Sequence, residues 1–201
     1  MTAEIEFCFD FGSPNAYLVH KAIPAFSERY DVSFNYLPIL LGGIFKATNN
    51  VSPAISLQGI KNKPEYSQIE TARFLRRYQV NAYTPNPNFP VNTLMLMRGA
   101  TFALDKDYFT AYVDAMYHSM WEAPQKMDEA EIFLAEMNAA GLPGDKILAG
   151  SKDPAVKQRL IDQTSDVVER GAFGSPTFFF QGEIYFGKEK LRDLEDVITG
   201  Q

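Results

Sequence analysis

The chain has 201 residues, of which 46% are hydrophobic and 22% charged, with a formal net charge of −6. That length suits one compact unit carrying a substantial insertion, with ample material for a core. Lys and Arg are scattered along an acidic chain, which speaks against nucleic acid or an anionic membrane as partner. The single cysteine, Cys8, can form no internal disulfide and fits a reducing compartment. The opening "MTAEIEFCFDF" has neither a basic segment nor a long apolar run, and no stretch approaches the roughly 18 apolar residues of a membrane span. The closing "VITGQ" matches no retention or peroxisomal signal. The expected location is the cytoplasm.

In chain order, "IEFCFDF" (5–11) is rich in β-favouring residues and predicts a buried strand. Ser13-Pro14 then suits a helix N-cap and first turn, with Tyr17, Leu18, Ile23 and Phe26 on an apolar face and Pro24 expected to kink the helix. "VSFNYLPIL" (32–40) alternates as a second strand, and a connection of this length favours parallel pairing. A helical block follows. It comprises about 65–81, then 105–121 with a stripe of Tyr108, Tyr112, Met116 and Met120, then 128–141 and 153–171. The proline-rich "TPNPNFPVNTL" (84–94) divides it. Strand signals return in "SPTFFFQGEIYFG" (175–187), read as a hairpin around Gln181-Gly182-Glu183, and a last helix closes at 188–200. This order predicts an α/β fold: a thioredoxin-like sheet from about 1–43 and 172–201, with a helical insertion over about 44–171.

Two places carry the chemistry. In redox proteins a strand-to-helix turn of the kind seen in "FCFDFGSPNAYL" is where Cys-x-x-Cys is expected, yet this one reads Ser13-Pro14-Asn15-Ala16. A helix N-terminus favours an anion, and Ser13 adds a rotatable hydroxyl; the plain alternative is a serine that only caps its helix. In "GAFGSPTFFF", Ser175-Pro176 precedes a strand that should be central, where proline is unwelcome. Either the peptide is cis or the strand lies at an edge. His20 and His118 share no metal-ligand spacing with another ligating residue, so no metal site is expected. Cys8, inside an apolar strand, fits packing better than reactivity.

Taken together, "FDFGSPNAYL", "LPILLGGIFKATNN", "NFPVNTLMLMRG", "GAFGSPTFFF" and "YFGKEKL" resemble the glutathione-dependent 2-hydroxychromene-2-carboxylate isomerases. These are grouped with the kappa-class glutathione transferases on a DsbA-like fold, and the likeness runs from residue 5 to about 199. The resemblance implies glutathione as cofactor, a small aromatic carboxylate as substrate, and a homodimer. It implies that Ser13 hydrogen-bonds the glutathione sulfur and that Ser175, before a cis Pro176, pairs its backbone with the tripeptide. Glu189 and Lys190 would receive the γ-glutamyl end, with Gly187 and Lys188 beside them also binding the cofactor; Glu-Lys stands where the family usually has Asp-Arg, which loses the planar fork of arginine. Asn50 and Lys63 would make further peptide contacts, with Lys46 near the substrate carboxylate and Asn92 in the substrate pocket. Each also fits an ordinary role: surface lysines, first-turn polar residues, turn-stabilising asparagines.

Without a cysteine in the turn, the sulfur must arrive on a ligand. A kappa-like transferase would use the same site but release a conjugate. A glutathione-dependent disulfide oxidoreductase fits less well, and a non-catalytic binding protein would need no thiolate.

Overall fold

The computed structural model describes residues 3–200. Strand β1 (Ala3–Phe9) forms because its alternating side chains bury on both faces: Ile5, Phe7 and Phe9 point one way and Cys8 the other, all fully buried. Helix α1 (Pro14–Tyr30) crosses over to β2 (Val32–Pro38), which pairs parallel to β1 with Phe7 opposite Tyr36. α1 runs without interruption through Pro24, flanked by the buried Ile23 and Phe26 that hold it on the sheet. Strands β3 (Thr177–Phe180) and β4 (Glu183–Phe186) close the hairpin, with Gln181 (φ 50°) and Gly182 (φ 82°) both in the left-handed region that a two-residue turn demands. The sheet order is β2-β1-β3-β4, with β3 antiparallel to both neighbours. Pro176 therefore immediately precedes a central strand, and the Ser175–Pro176 peptide is cis.

Eight helices lie between β2 and β3: α2 (Leu41–Thr48), α3 (Pro53–Ser56), α4 (Lys63–Tyr78), α5 (Leu94–Ala103), α6 (Phe109–Trp121), α7 (Ala130–Ala139), α8 (Gly144–Gly150) and α9 (Pro154–Glu169). A single turn of 3-10 helix (Lys188–Lys190) and α10 (Leu191–Thr199) end the fold. Periodicity anticipates α4, α6, α7 and α9. It does not reveal α2, which opens Leu-Gly-Gly, or α5, whose residues are buried on almost every side and so show no polar face. One sheet face packs Phe7, Phe9 and Phe178 against α1, α10 and the helical block; the Tyr112–Met116–Met120 stripe of α6 is core, fully buried. On the other face Cys8 packs with Ile39, Ile44, Val167 and Ala172 beneath α2 and α9.

The turn between β1 and α1 is fixed residue by residue. Asp10, fully buried, accepts the Gly12 amide on Oδ1 and the Leu41 amide on Oδ2, each at 2.8 Å, with the Thr93 hydroxyl beside it. Its carboxylate thus caps α2 from across the fold, since the α2 N-cap residue Leu40 has no side chain to do so. Phe11 gives its amide to the Met97 sulfur (3.4 Å) and its carbonyl accepts the Trp121 indole N–H (2.8 Å). The Ser13 amide donates to the Asp10 carbonyl at 3.0 Å.

Two consequences are measurable. A Cβ built on Gly99 would lie 2.3 Å from the Tyr112 hydroxyl, which donates to the Leu96 carbonyl at 2.8 Å, so this glycine lets α5 and α6 meet. Gly99→Ala is expected to cost about 1–3 kcal/mol in urea unfolding. Gly42→Ala, in α2 with nothing within 4 Å of the added methyl, should be neutral or stabilising. Burial pushes the Asp10 carboxyl above its ordinary 3.8, more than its amide bonds pull it down. The folded chain then holds this proton more tightly than the unfolded chain. Asp10's contribution is thus fully present below the unfolded value and fades as pH rises through the raised folded value. Asp10→Asn should flatten that downward slope of stability above about pH 4, and Asp10→Ala should cost about 1–3 kcal/mol for each amide left unpaired. Identical slopes in wild type and Asp10→Asn would contradict the assignment.

Candidate active site

The clamped turn delivers Ser13 to a small cavity. Ser13 caps α1: its Oγ accepts the Ala16 amide at 3.1 Å, and its carbonyl accepts the Tyr17 amide at 3.1 Å. The same hydroxyl donates to the Ser175 carbonyl at 2.9 Å, bridging the helix start to the cis-proline loop. Pro14 has no N–H and Ala16's is taken by the cap, so Asn15 carries the first-turn amide that the cap leaves over. Ser175 is itself held by donation from its Oγ to the Cys8 carbonyl (3.1 Å), and the Gly187 amide donates to the Pro176 carbonyl (2.9 Å). Gly187, at φ 103°, turns the chain there in a conformation that favours glycine.

The cavity is about 210 Å³ and is lined on one side by Gly12, Ser13 and Asn15, and on the other by Gly174 and Ser175. Phe45, Phe89, Phe173 and Phe186 supply its apolar wall. Phe173 and Phe186 pack ring to ring at 4.3 Å, and a Cβ on Gly174 would come within 2.7 Å of the Phe186 ring, so the glycine makes room for that wall. Phe89, on a cis peptide before Pro90, lies 5.9 Å from the Trp121 ring. No charged side chain is among the described residues lining the cavity. An anion held here would be stabilised by hydrogen-bond donors and the α1 dipole alone.

The remaining expected residues divide into near and far. Asn50 lines the cavity, but its amide is built into the wall: Nδ2 donates to the Phe173 carbonyl (3.0 Å) and Oδ1 accepts the Val51 amide (2.8 Å). Lys188 is largely buried, its ammonium 5.8 Å from the Phe74 ring centre and 2.7 Å from Glu189, whose other oxygen accepts from Arg192 at 2.9 Å. Lys190 pairs instead with Asp193, so Glu189 and Lys190 each have other partners. These residues follow directly from Phe186 at the cavity rim without lining the cavity. Lys63 is exposed at the start of α4, away from the lining. Lys46 lies on the other face of α2: Leu41 and Phe45 face the Ser13 cavity, whereas Gly43, Lys46 and Ala47 line a separate cleft. Asn92 is exposed, with its Oδ1 accepting the Leu94 amide at 3.1 Å at the start of α5, and it lies outside the cavity.

Sequence reasoning passed over Asp10 and the phenylalanine wall. Asp10 had a signal, a lone carboxylate within "FCFDFG" where every neighbour is apolar. The phenylalanines had none, because α2, two separate loops and the end of β4 contribute one each. Cys8, the only thiol, lies under the sheet with its pKa pushed up to about 12 by burial, which makes it inert. Among the described residues no group of three or more His, Cys, Asp or Glu is placed to hold a metal, and no helix is long and apolar enough to cross a membrane.

Known proteins share this architecture. A 2-hydroxychromene-2-carboxylate isomerase from Pseudomonas sp. (strain C18) is 25% identical over 196 residues, covering 98% of this chain and 90% of its own. The enzyme of the same name from Sphingobium xenophagum is 26% identical over 201 residues, with 98% and 99% coverage. Glutathione S-transferase kappa 1 of Caenorhabditis elegans is 20% identical over 214 residues, with 96% and 90% coverage. Among solved structures, a 2-hydroxychromene-2-carboxylate isomerase superposes with a TM-score of 0.83 at 24% identity, covering 98% of this chain and 95% of that one. A probable DsbA oxidoreductase from Streptomyces coelicolor gives 0.70 at 16% identity, with 99% and 91% coverage. Residues 4–199 match the DSBA-like thioredoxin domain, and the chain belongs to that family.

Proposed function

We propose that the chain is a glutathione-dependent isomerase that interconverts 2-hydroxychromene-2-carboxylate, or a related unsaturated aromatic acid, with its ring-opened trans form. The observation that carries this reading is Ser13: a hydroxyl at a helix start, facing an uncharged, phenylalanine-walled cavity beside a cis-proline loop, in a turn with no thiol of its own. The isomerase relatives, similar over nearly the whole chain, support the choice of reaction.

The donor set fits a thiol ligand. When bound, glutathione supplies a thiolate that adds reversibly to a conjugated double bond, which removes the barrier to rotation and leaves again unchanged. The chain's task is to bind, orient and ionise. A free thiol titrates near 8.5, so only about 3% is thiolate at pH 7; a drop of two units, about 2.7 kcal/mol, would ionise about 75%. The Ser13 hydroxyl has one proton, now given to the Ser175 carbonyl, so stabilising a sulfur anion requires it to rotate toward the ligand. A peptide N–H paired edge-on with Ser175 would then replace the lost donor at that carbonyl. The Asn15 amide N–H, left free by the cap, and the α1 dipole add to the same end. Phe45, Phe89, Phe173 and Phe186 offer flat apolar surface for an aromatic ring and exclude water from the sulfur. The cavity volume of about 210 Å³ is below that of a pocket burying a whole drug-sized ligand. The tripeptide would therefore run out along the cis-proline loop toward Gly187, Lys188, Glu189 and Lys190.

The kappa transferase relatives favour one second reading, conjugation of an electrophile at the same site. Product analysis by mass spectrometry separates the two, since an isomerase leaves the mass of its substrate unchanged. Disulfide exchange is not supported, because the only thiol is the buried Cys8.

Ultraviolet spectra of the chromene incubated with enzyme should show interconversion that requires glutathione. Absence of interconversion, or an equal rate without glutathione, would overturn the proposal. Ser13→Gly, which costs a helix cap only a few tenths of a kcal/mol, should still fold yet lose about 10- to 100-fold in turnover at pH 7 for one charge-assisted donor. Ser13→Ala should lose comparable activity and about 1 kcal/mol of stability besides. Full activity in Ser13→Gly would remove the hydroxyl from the mechanism.

A further inference from the structure

The face of α2 turned away from Ser13 carries a second and larger cleft, about 460 Å³, between α2, α5 and α9. Its floor and walls are apolar: Leu94 of α5, with Leu160 and the 55%-exposed Ile161 of α9. Gly43 lets the helices come together, since a Cβ there would lie 3.2 Å from the Thr164 methyl. Around this apolar surface stand Lys46, Arg98 and Lys157, one from each helix, against a single carboxylate, Glu169.

The charge pattern is unusual for this molecule. The chain is acidic overall, at −6, and ten of its nineteen Lys and Arg side chains form ion pairs among the described residues. Lys46, Arg98 and Lys157 form none, although all three border one cavity. Arg98 and Lys157 are half-buried and line the same apolar cleft. Three unpaired cations rimming a concave apolar surface are complementary to a molecule with an apolar body and an anionic end. The Ser13 cavity has the opposite character, with no charged lining, and the two share no lining residue.

We infer that the α2–α5–α9 cleft binds a small amphipathic organic anion, a carboxylate or sulfonate carried on an apolar ring, at a site distinct from the Ser13 cavity. Arg98 supplies a planar fork that matches such a group, Lys46 and Lys157 add charge, and Leu94, Leu160 and Ile161 hold the ring.

The test is fluorescence titration of the full chain with 8-anilinonaphthalene-1-sulfonate, in low salt and with saturating glutathione present. The expected result is a binding phase that survives glutathione, weakens as salt is raised, and weakens at least tenfold in the double variant Arg98→Glu/Lys157→Glu. Ile161→Asp, an exposed position where folding is not at stake, should weaken the same phase. Both variants should keep the far-ultraviolet circular dichroism of wild type. Should the double variant fail to fold, Ile161→Asp and Lys157→Gln decide the matter. No probe binding by wild type, complete displacement by glutathione, or unchanged affinity in the folded variants would each overturn the inference. Since the readout requires neither turnover nor Ser13, its failure is distinguishable from failure of the isomerase reading.

Discussion

The site depends on a buried carboxylate that holds two chain segments at once. Asp10 takes one amide from its own turn and one from the start of α2, so the strand-to-helix turn and the helical block cannot move independently. The neighbouring grips, Met97 and Trp121 on Phe11 and Ser175 on Ser13, come from elements remote in sequence. A hydroxyl carried on so constrained a backbone has one degree of freedom of consequence, rotation about its own bond. That is a suitable arrangement for a group whose task is to aim a single hydrogen bond.

The electrostatics of the cavity narrow the chemistry. Burying a charge without a partner is expensive, so a site meant for a permanent anion normally provides a cation. Here the lining provides none, and Lys188 and Lys190, which follow Phe186 in the chain, are engaged with Glu189 and Asp193. Dipoles and one hydroxyl can tip a thiol with a pKa near 8.5 toward ionisation, a balance of a few kcal/mol. The cleft on the opposite face of α2 has the reverse composition, and the one helix divides a neutral cavity from a cationic one.

Much of the sheet was legible in the sequence because its signals are local. Aromatic and β-branched runs marked β1, β2 and the β3–β4 hairpin, and the Gln181-Gly182 pair marked the turn between the last two. The choice between a cis Pro176 and an edge strand was not local; it depended on β3 lying between β1 and β4, which only assembly of the sheet decides. Helices with one apolar face were readable, whereas α5, buried on most sides, gave no periodicity to read. Within the site, Ser13 and Ser175 stood out because proline and glycine frame them. Lys46 looked as suitable as any lysine until the pitch of α2 placed it on the opposite face from Phe45. The four phenylalanines could not be grouped beforehand, since nothing in a sequence says that positions 45, 89, 173 and 186 meet.

The account rests on the ionisation of a bound sulfur, and thiolate absorbance near 240 nm reads it directly. Difference spectra of glutathione titrated with pH in the presence of saturating protein should give a thiol midpoint about two units below that of free glutathione, with most of the drop lost in Ser13→Gly. A bound thiol that titrates like the free one, or a depressed value that is the same in Ser13→Gly, would contradict it.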